Sequence, residues 1–370
     1  MSKYDWSTLP IDLLELIAER LNVNHVIRLR AVCKSWQKIS PSSKLHSTQV
    51  PWLMLPFKKS IHTRRRFYSL SDSNHIYSIK LSQYNQNSCC GSSRGWLFEV
   101  DNLMRCSILN PLTRVHIVLP SVWLANSNYL GGSPRTHHQI IDKFVLSSSP
   151  LTSKYSSDND TCLVMIILEN RRKLAFCKSV DKTWTIIEEN MCTVGLYEDV
   201  TYFKGQFYAV DDKGRVVVCD LSGPWPVINE VKTQECDNAC KYYLVESSGE
   251  LLLIRRFRSW TASNHNTTVC FEVLRQDPIC KKWIQVETLH NNAIFLGYNH
   301  SFDLLASKIS GCKGNCIYFA DESYHLNRNG GRDHVIGIFN LADGLFEPFS
   351  DSFWKLGFQN TDAMCLDYVN

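Results

Sequence analysis

The stretch VTYFKGQFYAVDDKGRVVVCDL, residues 200–221, decides the fold class of this chain. It contains three short runs of β-branched and aromatic residues, which favour β-strands. The runs are separated by Lys204-Gly205 and by the segment from Asp211 to Gly214, and both separators have the composition of tight turns. The stretch therefore predicts three strands that follow one another as hairpins.

Parts of this pattern recur along the chain from about Trp52 onward. The recurrences are SRGWLFEVD to RVHIVLP (93–120), KYYLVESSGELLLIRRF (241–257) and CIYFADESYHLNRNGGRDHVIGIFNL (316–341), and KTWTIIEE (182–189) resembles KKWIQVETL (281–289). Repeated four-stranded units of about 40 to 50 residues are typical of a β-propeller. The repeat is degenerate, so the number of blades stays open. A β-sandwich or two separate β domains is the alternative.

Closure of a propeller requires strands from both ends of the chain, because an open ring leaves exposed strand edges. The run PWLML (51–55) is the candidate from the start of the β-rich region. The runs around Phe339 and Phe346 are the candidates from its end. Trp96, Trp184 and Trp283 fall on strand-like runs, and we expect them to pack in the core or between blades.

The stretch LPIDLLELIAERL, residues 9–21, differs from the rest because its apolar residues recur with a helical period. Two further short helices are predicted before Pro41, the first beginning near Asn24 and the second carrying the residues Val32, Cys33, Trp36 and Ile39. Fewer than about 40 residues rarely form a stable core alone. We therefore expect the surplus apolar surface to face a partner; a small helical cap on the β domain is the alternative.

Together with VCKSW at 32–36, this stretch resembles an F-box, the Skp1-binding module of ubiquitin-ligase substrate receptors. The resemblance covers about Trp6 to Ser40, and the apolar spacing and the VCKSW block occur together. Asn24 stands where the family often has Asp. The resemblance implies that a Skp1-like protein binds through Leu9, Pro10, Leu13, Leu14, Ile17, Leu21, Val32, Cys33, Lys34 and Trp36.

From about Trp52 to Tyr368, the chain looks like the β-propeller domain of plant F-box proteins of the DUF295/KIB type. The pieces that carry this resemblance are GSSRGWLF (91–98), LNPLTRVHIVLP (109–120), residues 200–221 and YYLVESSGELLLI (242–254). The expected organisation is mainly β, with a three-helix F-box at residues 5–40, a polar linker at 41–51 and a propeller at 52–368.

The two resemblances imply a non-catalytic substrate-recognition subunit of an SCF-type ubiquitin ligase. Its F-box would bind a Skp1-like protein, and through it a cullin and a RING subunit, while its propeller would bind an unknown target protein. The alternative is a propeller-based small-ligand sensor or enzyme whose turnover is controlled through the F-box.

Charge and hydropathy exclude several other classes of function. Forty basic and 36 acidic residues leave a net charge of +4, which argues against a dedicated nucleic-acid-binding protein. The basic runs at 64–66, 171–173 and 255–258 are short, and we expect them to be solvated. There is no signal peptide and no run of the roughly 20 apolar residues that a membrane span needs. We expect an intracellular protein, in the nucleus, the cytoplasm or both.

The chain has no phosphate-binding glycine motif and no H-E-x-x-H, so we predict neither an enzyme nor a cofactor. Asp211 and Asp212 are interpreted as turn residues rather than cation ligands. His137, His138 and His325 are interpreted as surface-loop residues.

The fifteen cysteines are expected to be mostly reduced thiols, as in other intracellular proteins. Two pairs with a spacing of four residues, together with Cys89-Cys90, are the candidates for a zinc site: Cys236 with Cys240, and Cys312 with Cys316. Neither pair has C-x-x-C spacing or a histidine at zinc-finger spacing. We therefore predict free thiols and no bound metal.

Overall fold

The computed structural model of this chain covers an N-terminal helical unit and a large β region. It describes residues 6–18, 20–21, 25–26, 29, 32–36, 52–54, 64–69, 76–80, 88–101, 103–111, 114–122, 141–150, 162–168, 173–187, 195–221, 223, 225–231, 233, 236, 239, 241–260, 266–277, 279, 282–297, 300–308, 311–320, 336–348 and 364–366. The helical unit begins with a 3₁₀ turn, Trp6–Thr8, followed by the helix α1, Ile11–Ala18.

The strands of the described residues form six sheets, which we call blades 1 to 6 in chain order. Blade 1 contains β1 (Trp52–Met54), β2 (Arg64–Ser69) and β3 (Ile76–Lys80). Blade 2 contains β4 (Ser88–Ser93), β5 (Trp96–Val100), β6 (Cys106–Leu109) and β7 (His116–Val118). Blade 3 contains β8 (Ile141–Leu146), β9 (Leu163–Leu168), β10 (Lys173–Lys178) and β11 (Thr185–Ile187).

The remaining blades follow the same plan, with one additional strand in the last. Blade 4 contains β12 (Tyr197–Phe203), β13 (Gln206–Asp211), β14 (Val216–Asp220) and β15 (Val227–Val231). Blade 5 contains β16 (Lys241–Ser247), β17 (Glu250–Trp260), β18 (Asn266–Gln276) and β19 (Trp283–Gln285). Blade 6 contains β20 (Asn292–Leu296), β21 (Ser301–Leu305), β22 (Cys316–Ala320), β23 (Ile336–Asn340) and β24 (Phe346–Pro348). In blade 6, β20 pairs in parallel with β22.

Two-residue turns that end in glycine join the first two strands of blades 2, 4 and 5. In blade 4 the turn is Lys204-Gly205, with φ of 44° and 87°. The pairs Arg94-Gly95 and Ser248-Gly249 have the same left-handed backbone. Such a pair of positive φ angles matches the twist of an antiparallel hairpin, and glycine adopts it without steric cost. The glycine turns seen in the sequence are therefore the repeated corners of the blades.

The innermost strands of neighbouring blades contact one another in the order β4, β8, β12, β16 and β21. The last described strand, β25 (Met364–Leu366), pairs with β1 and also contacts β4, so it is the innermost strand of blade 1. The predicted contribution of PWLML to ring closure is confirmed. The predicted C-terminal partners are wrong, because Phe339 and Phe346 lie in β23 and β24 of blade 6. The three-residue strand β25 carries too weak an apolar signal to be recognised by pattern.

The apolar core lies between the blades. On β17, Leu251 and Leu253 pack toward blade 4, whereas Leu252 and Ile254 pack toward blade 6. On β9, Val164 and every second residue after it face blade 2, and the residues between them face blade 4. Successive side chains of a strand point to opposite faces of its sheet. A strand with both faces buried therefore reads as a continuous apolar run, as these strands do.

A buried ion pair joins three blades near the centre of the ring. Lys143 on β8 donates to Oδ1 of Asp199 on β12, and both side chains are buried. The same carboxylate accepts the amide N–H of Val200 at 2.6 Å. Its Oδ2 accepts the N–H of Leu244 on β16 at 2.9 Å. Blades 3, 4 and 5 therefore share one carboxylate.

Two expectations about the chain differ in the structure or fall outside the described residues. The basic run at 255–258 is not solvated: Arg255 and Arg256 are buried. The guanidinium of Arg256 lies over the rings of Phe271 and Phe319 and donates to Oγ1 of Thr268. The second predicted helix lies largely outside the described residues and the linker at 41–51 entirely so, and both remain predictions. Of the third predicted helix, residues 32–36 are described, and residues 32–35 are not helical.

Replacing Asp199 by alanine is expected to destabilise the propeller by about 3–5 kcal/mol, because Lys143 is then left buried without its counterion. Adding Lys143→Met should recover part of this loss, since no unpaired charge remains. Urea unfolding of the two variants measures both effects. The control is Glu250→Ala, which removes an exposed partner of Arg275 and should cost less than about 1 kcal/mol. Equal stability of Asp199→Ala and wild type would contradict the assignment.

A chain that ends at residue 358 lacks β25 and is expected to melt several degrees below the full chain, because the edge of β1 loses its partner. A chain that ends at residue 368 keeps β25 and serves as the control. Thermal unfolding followed by circular dichroism compares the two. Coincident melting curves would show that ring closure does not depend on the C-terminal strand.

Candidate functional site

The helical unit has a small core that uses one side of α1. Leu14 and Ala18 are buried together with Val26, and Leu14 is 1% exposed. Leu9, Leu21, Leu29 and Trp36 are half-buried and pack around them. The spacing of Leu14 and Ala18, four residues apart, places both on the same face of the helix. This inward face holds the unit together.

The opposite side of α1 is also apolar, but it is exposed. Leu13, Leu16 and Ile17 all have large exposed fractions, and Leu16 is 56% exposed. At 3.6 residues per turn, these three side chains span an arc of about 100° around the helix axis. We call them the outer apolar arc. Asp12 and Glu15 occupy the remaining side of the helix, between the arc and the inward face. An apolar surface of this kind on so short a helix is typical of an interface.

The N-terminal turn is fixed next to this helix by two hydrogen bonds to one carbonyl. The indole Nε1 of Trp36 donates to the carbonyl oxygen of Trp6 at 3.0 Å, and the N–H of Leu9 donates to the same oxygen at 3.3 Å. The side chain of Trp6 itself is exposed, as are Ile11 and Val32. The start of the unit and Trp36 are therefore tied together, while the side chains of Trp6, Ile11 and Val32 remain exposed.

The structure separates the ten predicted Skp1-binding residues by exposure. Pro10, Leu13, Ile17, Val32 and Lys34 are exposed; Leu9, Leu21, Cys33 and Trp36 are half-buried. Leu14 is buried in the core of the unit, so its side chain is not part of the exposed surface. The structure also exposes Trp6, Ile11 and Leu16, which the sequence prediction does not include. Leu16 could have been found on a helical wheel, since it lies beside Leu13.

Three of the four paired cysteines, Cys236, Cys312 and Cys316, lie among the described residues of the propeller. Cys236 is half-buried, and its carbonyl oxygen accepts the hydroxyl of Tyr242 at 2.9 Å, whereas Cys240 lies outside the described residues. Burial raises the pKa of both the Cys312 and Cys316 thiols above the ordinary value. Within the described part of the chain, no group of three or more His, Cys, Asp and Glu side chains is arranged to hold a metal ion.

The aspartate turn of blade 4 has the geometry predicted from its sequence. Oδ1 of Asp211 accepts the N–H groups of Lys213 and Arg215, and its Oδ2 accepts Nε of Arg215 at 3.0 Å. Gly214 follows with a φ of 79°. The same arrangement recurs in blade 2, where Asp101 accepts the N–H of Leu103 and both the N–H and Nε of Arg105. In both hairpins the carboxylate accepts hydrogen bonds from backbone N–H groups of the turn. This confirms the interpretation of Asp211 as a turn residue.

The predicted packing of the tryptophans is confirmed in two blade interfaces. Trp96 and Trp184 are buried in the core between blades 2 and 3, and Nε1 of Trp184 donates to the carbonyl oxygen of Pro120 at 2.8 Å. Trp283 packs against the core between blades 4 and 5. His137, His138 and His325 lie outside the described residues. Among the described residues, no helix is long and apolar enough to cross a membrane.

Two family models match the chain in the positions that the fold suggests. Residues 6–48 match the F-box domain, and residues 67–340 match the KIB1-4 beta-propeller. The chain belongs to the plant F-box proteins that carry a KIB1-4 β-propeller. The second match includes strands of all six blades and leaves out β1, β24, β25 and the first three residues of β2.

Similar proteins align with this chain over almost its whole length. The F-box protein SKIP23 of Arabidopsis thaliana is 28% identical over 394 residues, which cover 95% of this chain and 94% of that protein. The F-box protein At2g26160 of Arabidopsis thaliana is 26% identical, covering 87% of this chain and 97% of that protein. Among solved structures, Hsv2 of Kluyvelomyces marxianus aligns with a TM-score of 0.32 and 10% identity over 64% of this chain and 68% of that chain, too distant to carry an argument.

The double substitution Leu13→Ala and Ile17→Ala is expected to reduce binding to a Skp1-like protein more than tenfold without changing the melt of the protein, because both side chains are exposed. Leu14→Ala should instead cost about 2–5 kcal/mol of the stability of the helical unit, since it leaves a cavity. Calorimetric titration and circular dichroism separate the two effects. Glu15→Ala, on the same helix but outside the outer apolar arc, is the control. Undiminished binding by the double variant would remove the arc from the interface.

Proposed function

We propose that this protein is the substrate-recognition subunit of an SCF-type ubiquitin ligase. The observation that carries the proposal is the outer apolar arc of α1, which the helical unit leaves uncovered although its own core is already filled by Leu14, Ala18 and Val26. The F-box match over residues 6–48 supports a Skp1-like protein as the group that covers this arc. Through that protein the chain would join a cullin and a RING subunit.

In this role, the chain contributes binding rather than chemistry. The propeller holds the target protein, and the F-box holds the ligase, so the lysines of the target are kept near the ubiquitin-charged enzyme. Raising the effective concentration of the reacting groups is sufficient, and no covalent step uses a residue of this chain. The rigid inter-blade cores and the buried Lys143–Asp199 pair supply a scaffold that keeps the binding face in a constant shape. We place the protein in the nucleus, the cytoplasm or both.

The proposal is tested on a target recovered with the full-length protein while the proteasome is blocked. Full-length protein should shorten the half-life of that target. The variant Leu13→Ala with Ile17→Ala should lengthen it, because the variant still binds the target but no longer recruits the ligase. Cycloheximide chase at equal expression measures both half-lives, and Glu15→Ala should behave as wild type. Equal shortening by the wild type and the double variant would refute the ligase role and favour a sensor or enzyme on the propeller.

A further inference from the structure

The outer edge of blade 4 differs from the outer edges of the other blades. The outermost strands β7, β11, β19 and β24 have three residues each, and the outermost strand β3 ends in Lys80. Short strands and edge lysines are the usual protections against pairing with another chain. By contrast, β15 has five residues, Val-Ile-Asn-Glu-Val, and contains no lysine. Its register against β14 is uninterrupted, and no described strand pairs with its outer side.

The position of β15 is fixed from both faces of its sheet. Ile228 packs against the core between blades 3 and 4, and Val231 packs against the core between blades 4 and 5. Alternate residues of an edge strand direct their N–H and C=O groups away from the sheet. β15 therefore presents a rigid row of donors and acceptors, which is the template that an additional strand requires.

An exposed tryptophan stands next to this edge. Trp225 is 78% exposed and precedes β15 by two residues, and Val227 at the start of the strand is exposed as well. In the sequence, Pro224 and Pro226 flank Trp225 and restrict the backbone on both sides. A tryptophan held on a stiff segment loses little conformational entropy on binding, and tryptophan is enriched among the residues that dominate interface energies.

The edge and its surroundings fit an extended peptide better than a second copy of the chain. A second copy that paired through the same five residues would leave Trp225 beyond the end of the shared ladder. A longer extended segment of another protein would cover both the edge of β15 and Trp225. Glu230 is exposed and is the one charged residue of β15, so it favours a lysine or arginine in the strand that pairs with it.

We infer that the outer edge of β15, together with Trp225, binds an extended segment of a partner protein by strand addition. The segment carries an apolar residue against Trp225 and Val227 and, three residues away, a lysine or arginine opposite Glu230. The two side chains point to opposite faces of the added strand, in agreement with the two-residue period of a strand. This inference rests on the proposed function, since it names the site at which the propeller takes its target.

The test uses the full chain bound to a Skp1-like protein and a displayed library of short peptides of random sequence. Peptides selected on the wild type should share the apolar and basic residues at the stated spacing. Their affinity should fall at least about tenfold for Trp225→Ala and clearly for Glu230→Lys. The matched control is Ile279→Ala, which removes a side chain that is 90% exposed in the equivalent turn of blade 5 and should leave the affinity unchanged.

Strand addition is tested separately with two versions of a selected peptide, each N-methylated at a different alternating set of backbone amides. One version should lose binding and the other should keep it. Failure to select any peptide, equal binding by Trp225→Ala and Ile279→Ala, or tolerance of both methylated sets would overturn the inference. A dimer of the wild type that Trp225→Ala abolishes would also overturn it. Binding of the Skp1-like protein by each variant is measured in parallel, so that a failure of the F-box role is recognised independently of the peptide result.

Discussion

The carboxylate of Asp199 is the interaction on which the arrangement of the central blades depends. It lies on β12 and accepts hydrogen bonds from the ammonium of Lys143 on β8 and from a backbone N–H of β16, so three consecutive blades meet at one buried group. A carboxylate loses its hydration when it is buried, and only several good hydrogen bonds and a counterion offset that cost. Three blades must therefore hold one relative position for the group to be satisfied. Apolar packing alone would specify this position less strictly, because it has no direction.

The same constraint explains why the strands look as they do. A blade has a neighbour on each side, so each face of an inner strand is buried against a different blade, as Leu252 and Leu253 show on β17. The buried Arg256 shows how a polar residue enters this core, since it donates to Thr268 and lies over the rings of Phe271 and Phe319. The outer edges of the sheets have no neighbour among the described strands. Four of them have three residues and β3 ends in a lysine, whereas β15 has five residues and no lysine.

The helical unit, in contrast to the blades, leaves part of its apolar surface exposed. It has too few residues to bury its apolar side chains, and the inward face of α1 uses only Leu14 and Ala18. The outer apolar arc remains, and the hydrogen bond from Trp36 to the carbonyl of Trp6 holds the ends of the unit together without covering it. The described blades bury their apolar side chains against one another, whereas the helical unit leaves the outer apolar arc exposed. This difference is the physical basis for the proposal that one part binds the ligase and the other binds a target.

The sequence by itself determined the features that depend on neighbouring residues. Glycine turns such as Lys204-Gly205, the aspartate turn at Asp211 and the helical period of residues 9–21 are local, since a few residues and their backbone preferences decide them. The F-box motif and the repeat of the propeller could be recognised for the same reason. The residue pattern also showed that α1 has more apolar surface than a short helical unit can bury.

The tertiary structure alone decided which groups meet across distant parts of the chain. It buried Leu14 and exposed Leu16, because the side of α1 that faces inward is chosen by Val26 and its neighbours rather than by α1 itself. It closed the ring with β25 instead of the stronger apolar runs at Phe339 and Phe346, because those strands were already needed to complete blade 6. It joined Lys143 to Asp199 across 56 positions of sequence, a pairing that no local pattern encodes, since it exists only when three blades stand side by side.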